Sequence, residues 1–330
     1  MNDNDLSIVF QGPVMFEGDA TQKCINSAKK FFPSAEVILS SWKGTDISNI
    51  YGFDKSVLSD DPGAFKMTLD GVARSNNTNR MMTSTVTGLK TATRPYSIKI
   101  RSDMYFENIN CLVKFNDALN LKKKSNSITK DYVVSLSANN PYRGAKQVFL
   151  MSDWFEIGRT EDLLKFWDLP LQQEKDMRHE KGKIPRFEDN LIAESYLWTM
   201  LCRNDPKYAD ILGERFNPSQ VNERTIELYE ESIAENFVLF NGEQLGLNSY
   251  KLPNKNYVRR DFGKAACYTH SEWKKMYNKF VDHRYRQIGT LEDTTDIVKY
   301  NFVFKFLRVR FNKQYEKLKG KYNKKAESNA

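Results

Sequence analysis

The sequence predicts an α/β domain with a mostly parallel central sheet flanked by helices, and two observations carry that expectation. Short β-branched, apolar runs alternate with longer segments of helical character, the pattern of strand–helix–strand repetition. Three of those runs end in polar clusters, "QGPV", "SSWKGTD" and "RSD", and sheets of this kind bind ligands where the carboxyl ends of strands meet their loops.

The strands are expected at 6–10 (LSIVF), 36–42 (EVILSSW), 55–59 (KSVLS), 96–101 (YSIKIR) and 132–137 (YVVSLS), each apolar and of sheet length. Between them 20–32, 77–92 and 108–121 suit helices, with Asp19 and Asn76 or Asn77 available as caps. Beyond about residue 150 the strand signal fades. There "TEDLLKFW", "DNLIAESYLWTMLC" and "SEWKKMYNKFV" predict amphipathic helices, and "LPLQQEKDMRHEKGKIP" predicts a charged loop.

A chain of 330 residues suits one large domain, or one with an appendage. Its 28% charged residues argue for a soluble protein, and its 40% hydrophobic residues suffice for a substantial core. The opening "MNDNDLSIVF" is acidic where a secretory signal is basic, and no run reaches the roughly 20 apolar residues of a spanning helix. A cytoplasmic location is therefore expected. Cys24, Cys111, Cys202 and Cys267 lie far apart, which predicts free thiols rather than zinc ligands or disulfides. Ten basic residues from Lys299 onward, against Glu316 and Glu327, account for the whole net charge of +8. Residues 1–298 are thus neutral overall, which argues against a nucleic-acid partner.

Five constellations could carry chemistry. Asp103, at a strand's carboxyl end, can hold a divalent cation or cap a following helix. The helix start "SNNTNRMMTSTVTGL", with Asn76, Asn77, Asn79, Arg80, Ser84 and Thr85, can receive phosphate or ribose oxygens, or be a capped, solvated face. Asp153, followed by Trp154 and Phe155, resembles a sugar platform and equally an amphipathic core segment. In "RFEDNLIAESYLW", Glu188 and Asp189 suit a helix's first turn, while Glu194 among apolar neighbours could carry a raised pKa and act as a general base. His270 is a candidate metal ligand, although capping by Thr269 or Ser271 explains its setting as well. There is no GxxxxGK[ST], no GxGxxG after the first strand and no GxSxG, which disfavours ATPases, dehydrogenases and α/β-hydrolases.

Taken in order, "SIVFQGPV", "CINSAKKFFPSAEVILSSWKGTD", "DDPG", "NNTNRMMTSTVTGL", "IKIRSDMYF", "SDWFEIG" and "AESYLW" resemble the WavE-type lipopolysaccharide-synthesis family of glycosyltransferases over residues 6–200. The resemblance implies a GT-A-like, Rossmann-type domain over 1–298, with a nucleotide-sugar half (1–140) and an acceptor half (141–298). It implies a nucleotide-sugar donor, with a UDP-hexose such as UDP-galactose as the first guess, and a lipopolysaccharide, capsule or related surface-glycan acceptor. Gln11, Gly12, Pro13, Asp46, Asn79, Arg80, Arg101, Ser102 and Asp103 would bind the donor. Asp103 would stand at the metal motif of GT-A enzymes and take Mn²⁺ or Mg²⁺, with His270 as a further candidate ligand. Arg101 departs from that motif by replacing its first aspartate.

An inverting mechanism would need a base and a retaining one could proceed without it; the sequence does not fix the stereochemistry, and inversion is the reading taken first. Asp103 with its cation, helped by Arg80 and Arg101, would take the charge of the leaving diphosphate, and Asp153 or Glu194 would be the base. The tail 299–330 interleaves Phe302, Phe304, Phe306 and Phe311 with cations, which suits a helical segment on the anionic inner face of the plasma membrane near lipid-linked acceptors, or a core-docking helix. A non-catalytic glycan- or nucleotide-sugar-binding protein is the alternative.

Overall fold

The computed structural model describes residues 1–69, 72–142, 146–173, 192–212, 216, 218, 219, 221–250 and 267–285. The basic tail, Glu188, Asp189 and all of the charged segment beyond Gln173 lie outside the described residues.

Along the chain come β1 (Leu6–Gln11), α1 (Ala20–Phe31), β2 (Glu36–Trp42), β3 (Lys55–Ser59), the antiparallel pair β4 (Phe65–Leu69) and β5 (Val72–Asn76), and α2 (Thr78–Thr91). Then follow β6 (Tyr96–Arg101), β7 (Met104–Phe106), α3 (Asn110–Leu119), β8 (Val133–Ser135), β9 (Phe155–Arg159) and α4 (Thr160–Trp167). The rest comprises α5 (Ala193–Arg203), α6 (Pro206–Ala209), α7 (Glu223–Asn236), β10 (Phe237–Leu239), α8 (Gly242–Leu245), β11 (Leu247–Ser249) and α9 (His270–Phe280).

Seven strands form the central sheet in the order β10-β8-β9-β6-β1-β2-β3. Six are parallel, and β9 enters antiparallel between β6 and β8. The mostly parallel, helix-flanked sheet expected of an α/β domain is thus present. It passes through both halves of the chain, because β9 and β10 come from beyond residue 150. Those two strands are the ones the sequence conceals: β9 carries Glu156 and Gly158 in place of an unbroken β-branched run, and β10 has three residues.

All six residues of β1 are buried, as the central strand of a sheet covered on both faces requires. On one face Phe10 meets Phe106 and Tyr96 meets Phe115 of α3, with ring centroids 6.5 and 5.5 Å apart. The other face carries α2 and α4, where Ser40 Oγ donates to the Ser84 carbonyl at 2.6 Å and the Lys99 ammonium lies 4.3 Å from the Trp167 ring centroid. The register sets Gln11 beside both Ser40 and Arg101, so the polar ends of β1, β2 and β6 meet at one edge. The four cysteines are free and buried, as expected. Among the described residues no helix is long and apolar enough to cross a membrane.

Candidate active site at the carboxyl edge of the sheet

The loop after β1 is shaped by Gly12, whose φ of 112° is one that a side chain resists. That turn lets the Gly12 N–H donate to the Ser40 carbonyl at 3.1 Å, while the Ser102 N–H donates to the Gln11 carbonyl at 3.0 Å. Ser102 Oγ donates to the Pro13 carbonyl at 2.6 Å, and Ser84 Oγ donates to Gln11 Oε1 at 2.8 Å. Three strand ends and α2 are thereby tied into one rigid rim.

A cleft of about 560 Å³ opens on this rim, lined by Gln11, Gly12, Pro13, Met15, Trp42, Asp61, Asn77, Arg80, Met81, Ser84, Arg101, Ser102 and Asp103. It faces the first turn of α2, whose N-cap Asn77 makes no side-chain capping bond. The preceding Asn76 accepts from the Thr78 N–H at 3.0 Å instead. A helix amino terminus with an arginine one turn inside favours an anion.

Two arginine–carboxylate forks stand in the cleft. Arg101 Nε and Nη2 donate to Asp103 Oδ1 and Oδ2 at 3.0 and 2.7 Å, and Asp103 is 3% exposed. Arg80 Nε and Nη2 donate to Asp61 Oδ1 and Oδ2 at 2.8 and 2.7 Å, near the surface. The Arg80 hydrogen bond holds the Asp61 carboxyl below its ordinary range. Arg101 also lies over the Trp154 ring, its Cζ 4.7 Å from the centroid.

Seven of the expected donor residues therefore share the cleft: Gln11, Gly12, Pro13, Arg80, Arg101, Ser102 and Asp103. Asn79 does not reach it. Its side chain is buried, donating to the Gln172 carbonyl at 2.9 Å and accepting from the Gln172 N–H at 2.8 Å, so α2 presents Asn77 and Arg80 in its place. Asp46 is likewise absent from the lining; it closes a turn by accepting from the Ser48 N–H at 2.9 Å. Asp103 caps no helix, because β7 follows it directly.

The two expected bases lie elsewhere than the cleft surface. Trp154 and Phe155 are 8% and 0% exposed, so the aromatic setting of Asp153 is core rather than a sugar platform. Asp153 is 3% exposed. Glu194 joins it in the electrostatic surroundings of Arg101 and Lys99, and neither carboxylate lines the cleft. Burial and then the nearby Asp153 charge push Glu194 up to about 8, which favours the protonated, weakly basic form near neutral pH.

His270 is packed, not poised. Its ring stacks on Phe240 and Trp273 with centroids 4.1 and 5.4 Å away, and Nδ1 lies 2.9 Å from the Leu239 carbonyl. Thr269 caps α9 in a reciprocal box with Glu272, the local pattern that competes with a ligand role. Among the described residues no group of three or more His, Cys, Asp or Glu side chains is arranged to hold a metal ion. Both cleft carboxylates are forked by arginines, so this donor set does not fit the Mn²⁺ or Mg²⁺ expected at Asp103 and His270.

Asp61 is the lining residue whose role sequence reasoning missed. Its signal was present, since "DDPG" directly follows the carboxyl end of the parallel strand β3.

The family model described as WavE lipopolysaccharide synthesis matches residues 6–305. A search of curated protein sequences finds no match. Among solved structures, the mannosyltransferase PcManGT from Pyrobaculum calidifontis, in complex with GDP-Man and Mn²⁺, is similar at 12% identity and a TM-score of 0.34 over 71% of this chain. The match spans 63% of that mannosyltransferase's length. S. aureus TarS 1-349 is similar at 12% identity and a TM-score of 0.31, over 91% of this chain and 79% of its own. An active-site mutant of LgtC is similar at 9% identity and a TM-score of 0.34, over 88% of this chain and 99% of its own. Overlaps this loose carry no residue role across.

Proposed function

The chain belongs to the WavE lipopolysaccharide synthesis family, and we propose that it moves a hexose from a nucleotide sugar to a surface-glycan acceptor. One observation supports the site: Arg80 and Arg101 converge on a cleft at the carboxyl edge of a parallel sheet, beside a helix amino terminus. A nucleoside diphosphate is the ligand class whose charge and length suit such a cleft.

In this reading the diphosphate lies between Arg80, Arg101 and the first turn of α2. The acceptor hydroxyl attacks the anomeric carbon and gives its proton to solvent water, while the bond from that carbon to the β-phosphate oxygen breaks and its electron pair stays on the departing diphosphate. Fixed guanidinium N–H groups aimed at the developing charge lower the barrier most when they need no rearrangement. A single displacement of this kind inverts the anomeric centre. UDP-galactose is the first donor to try. Because activated sugars are made in the cytoplasm, the reading carries a cytoplasmic location, with the basic segment from Lys299 as the proposed contact with the anionic inner leaflet.

The test is donor hydrolysis without acceptor, profiled over UDP-, GDP- and CMP-linked sugars. Slow release of one nucleotide, abolished in Arg101→Gln, is expected. If no donor is turned over and no nucleotide raises the melting temperature, the transferase reading falls.

A further inference from the structure

Divalent cations of the Mg²⁺ or Mn²⁺ type at a diphosphate take carboxylate oxygens first and complete their shell with water and phosphate. The cleft offers two carboxylates, and each is already paired with an arginine. Asp103 gives one oxygen each to Arg101 Nε and Nη2, at 3.0 and 2.7 Å. Asp61 does the same for Arg80, at 2.8 and 2.7 Å, and its Oδ1 also accepts from the Gly63 N–H at 2.9 Å. Ser102 Oγ, the next oxygen along the strand end, donates to the Pro13 carbonyl. A cation at Asp103 would have to share that carboxylate with a guanidinium that already neutralises it, against the repulsion of its charge.

Arg101 itself is held from several sides. Asp103 forks its Nε edge, the Trp154 ring lies 4.7 Å from Cζ, and its backbone N–H donates to the Trp154 carbonyl at 3.3 Å. Its side chain keeps 20% exposure and lines the cleft, and Nη1 makes no hydrogen bond within the described residues. That leaves N–H donors on a fixed, planar cation that lines the cleft.

We propose that the donor diphosphate is bound and discharged by the Arg101 and Arg80 guanidinium groups without a divalent cation, and that Asp103 is the positioning residue that fixes Arg101. The inference rests on the glycosyl-transfer reading and deepens it. As the anomeric bond breaks, the electron pair remains on the β-phosphate oxygen and is met by guanidinium N–H donors. No proton passes to or from Arg101.

The test is calorimetric titration of the full-length protein with UDP, after EDTA treatment and again in excess Mn²⁺. Affinities within about twofold of each other are expected. Arg101→Gln should lose at least about tenfold, the scale of one charge-assisted contact, and Arg101→Lys should recover part of it, because an ammonium restores charge without the fork. Asp103→Asn should weaken UDP in EDTA and in Mn²⁺ alike. Tightening of wild-type binding by Mn²⁺ of more than about tenfold overturns the proposal, and needs no variant to fold. Loss of that tightening in Asp103→Asn would make Asp103 a metal ligand. Failure of UDP, GDP and CMP to bind under either condition would instead remove the transferase reading beneath it.

Discussion

Lys99 Nζ lies 3.8 Å from Glu156 Oε2, and the two side chains are 0% and 1% exposed. The β6–β9 register sets them directly opposite on the face covered by α4. A buried pair this deep stabilises weakly at best, since the cost of desolvating two charges offsets most of their attraction. Its placement two residues along β6 from Arg101 gives the cleft an ionisable foundation rather than an apolar one.

That foundation makes stability depend on pH. Burial drives Glu156 up from 4.5 to about 7, against the pull of Lys99. Between those values the folded protein holds a proton that the unfolded chain has released, so stability falls as pH rises through the window. The contribution is complete below 4.5, is lost above about 7, and amounts to at most about 3 kcal/mol. Glu156→Gln cannot titrate, so its melting temperature should change less than that of wild type between pH 5 and 7, within roughly that linkage window. Equal slopes in the two proteins would refute the assignment.

Arg80 separates binding from stability. Its pair with Asp61 is exposed, at 36% and 42%, and exposed pairs contribute about 0–1 kcal/mol. Arg80→Ala should therefore leave the melting temperature within about 2 °C of wild type while weakening UDP about tenfold. A variant that melts early but binds normally would show that Arg80 holds the fold and not the ligand.

Gly88 permits α2 to lie against the sheet. A Cβ there would clash with Val9 Cγ1 and come within 3.0 Å of Ser40 Cβ, both on the sheet floor. Gly88→Ala must push α2 outward, at a cost of about 1–3 kcal/mol. Because α2 carries Arg80, thermal melts should show a lower transition and UDP titration a weaker affinity together. An unchanged pair of values would mean that the helix is free to shift.

The sheet was legible because its central strands are apolar runs of ordinary length, and each expected strand is present at nearly the expected bounds. The cleft was legible because strand-end polarity marks a ligand edge, and Gln11, Arg101 and Asp103 fall on it. What stayed hidden depends on pairing across distant segments. Asn79 and Arg80 are neighbours in sequence, yet one turns inward to the Gln172 backbone and the other outward to Asp61. Likewise the aromatics after Asp153 have the composition of a sugar platform, and only the antiparallel insertion of β9 shows them to be core.

Glu194 supplies the sharpest test of what surrounds the arginine. A general base is ionised when it acts, and losing one costs about 10²–10⁴ in rate. Glu194 is pushed up to about 8 by burial and by Asp153, so near neutrality it is an uncharged acid that glutamine copies in shape and charge. Turnover of Glu194→Gln at pH 7 should remain within about threefold of wild type, far short of a lost base. Above about 8 the wild-type side chain ionises and sets a negative charge among the groups around Arg101. That charge weakens the field the leaving diphosphate meets. Wild-type kcat/KM should therefore decline through that pH while the variant's profile stays flat. A hundredfold loss in the variant at pH 7, about the lower bound for base removal, would restore Glu194 as the base.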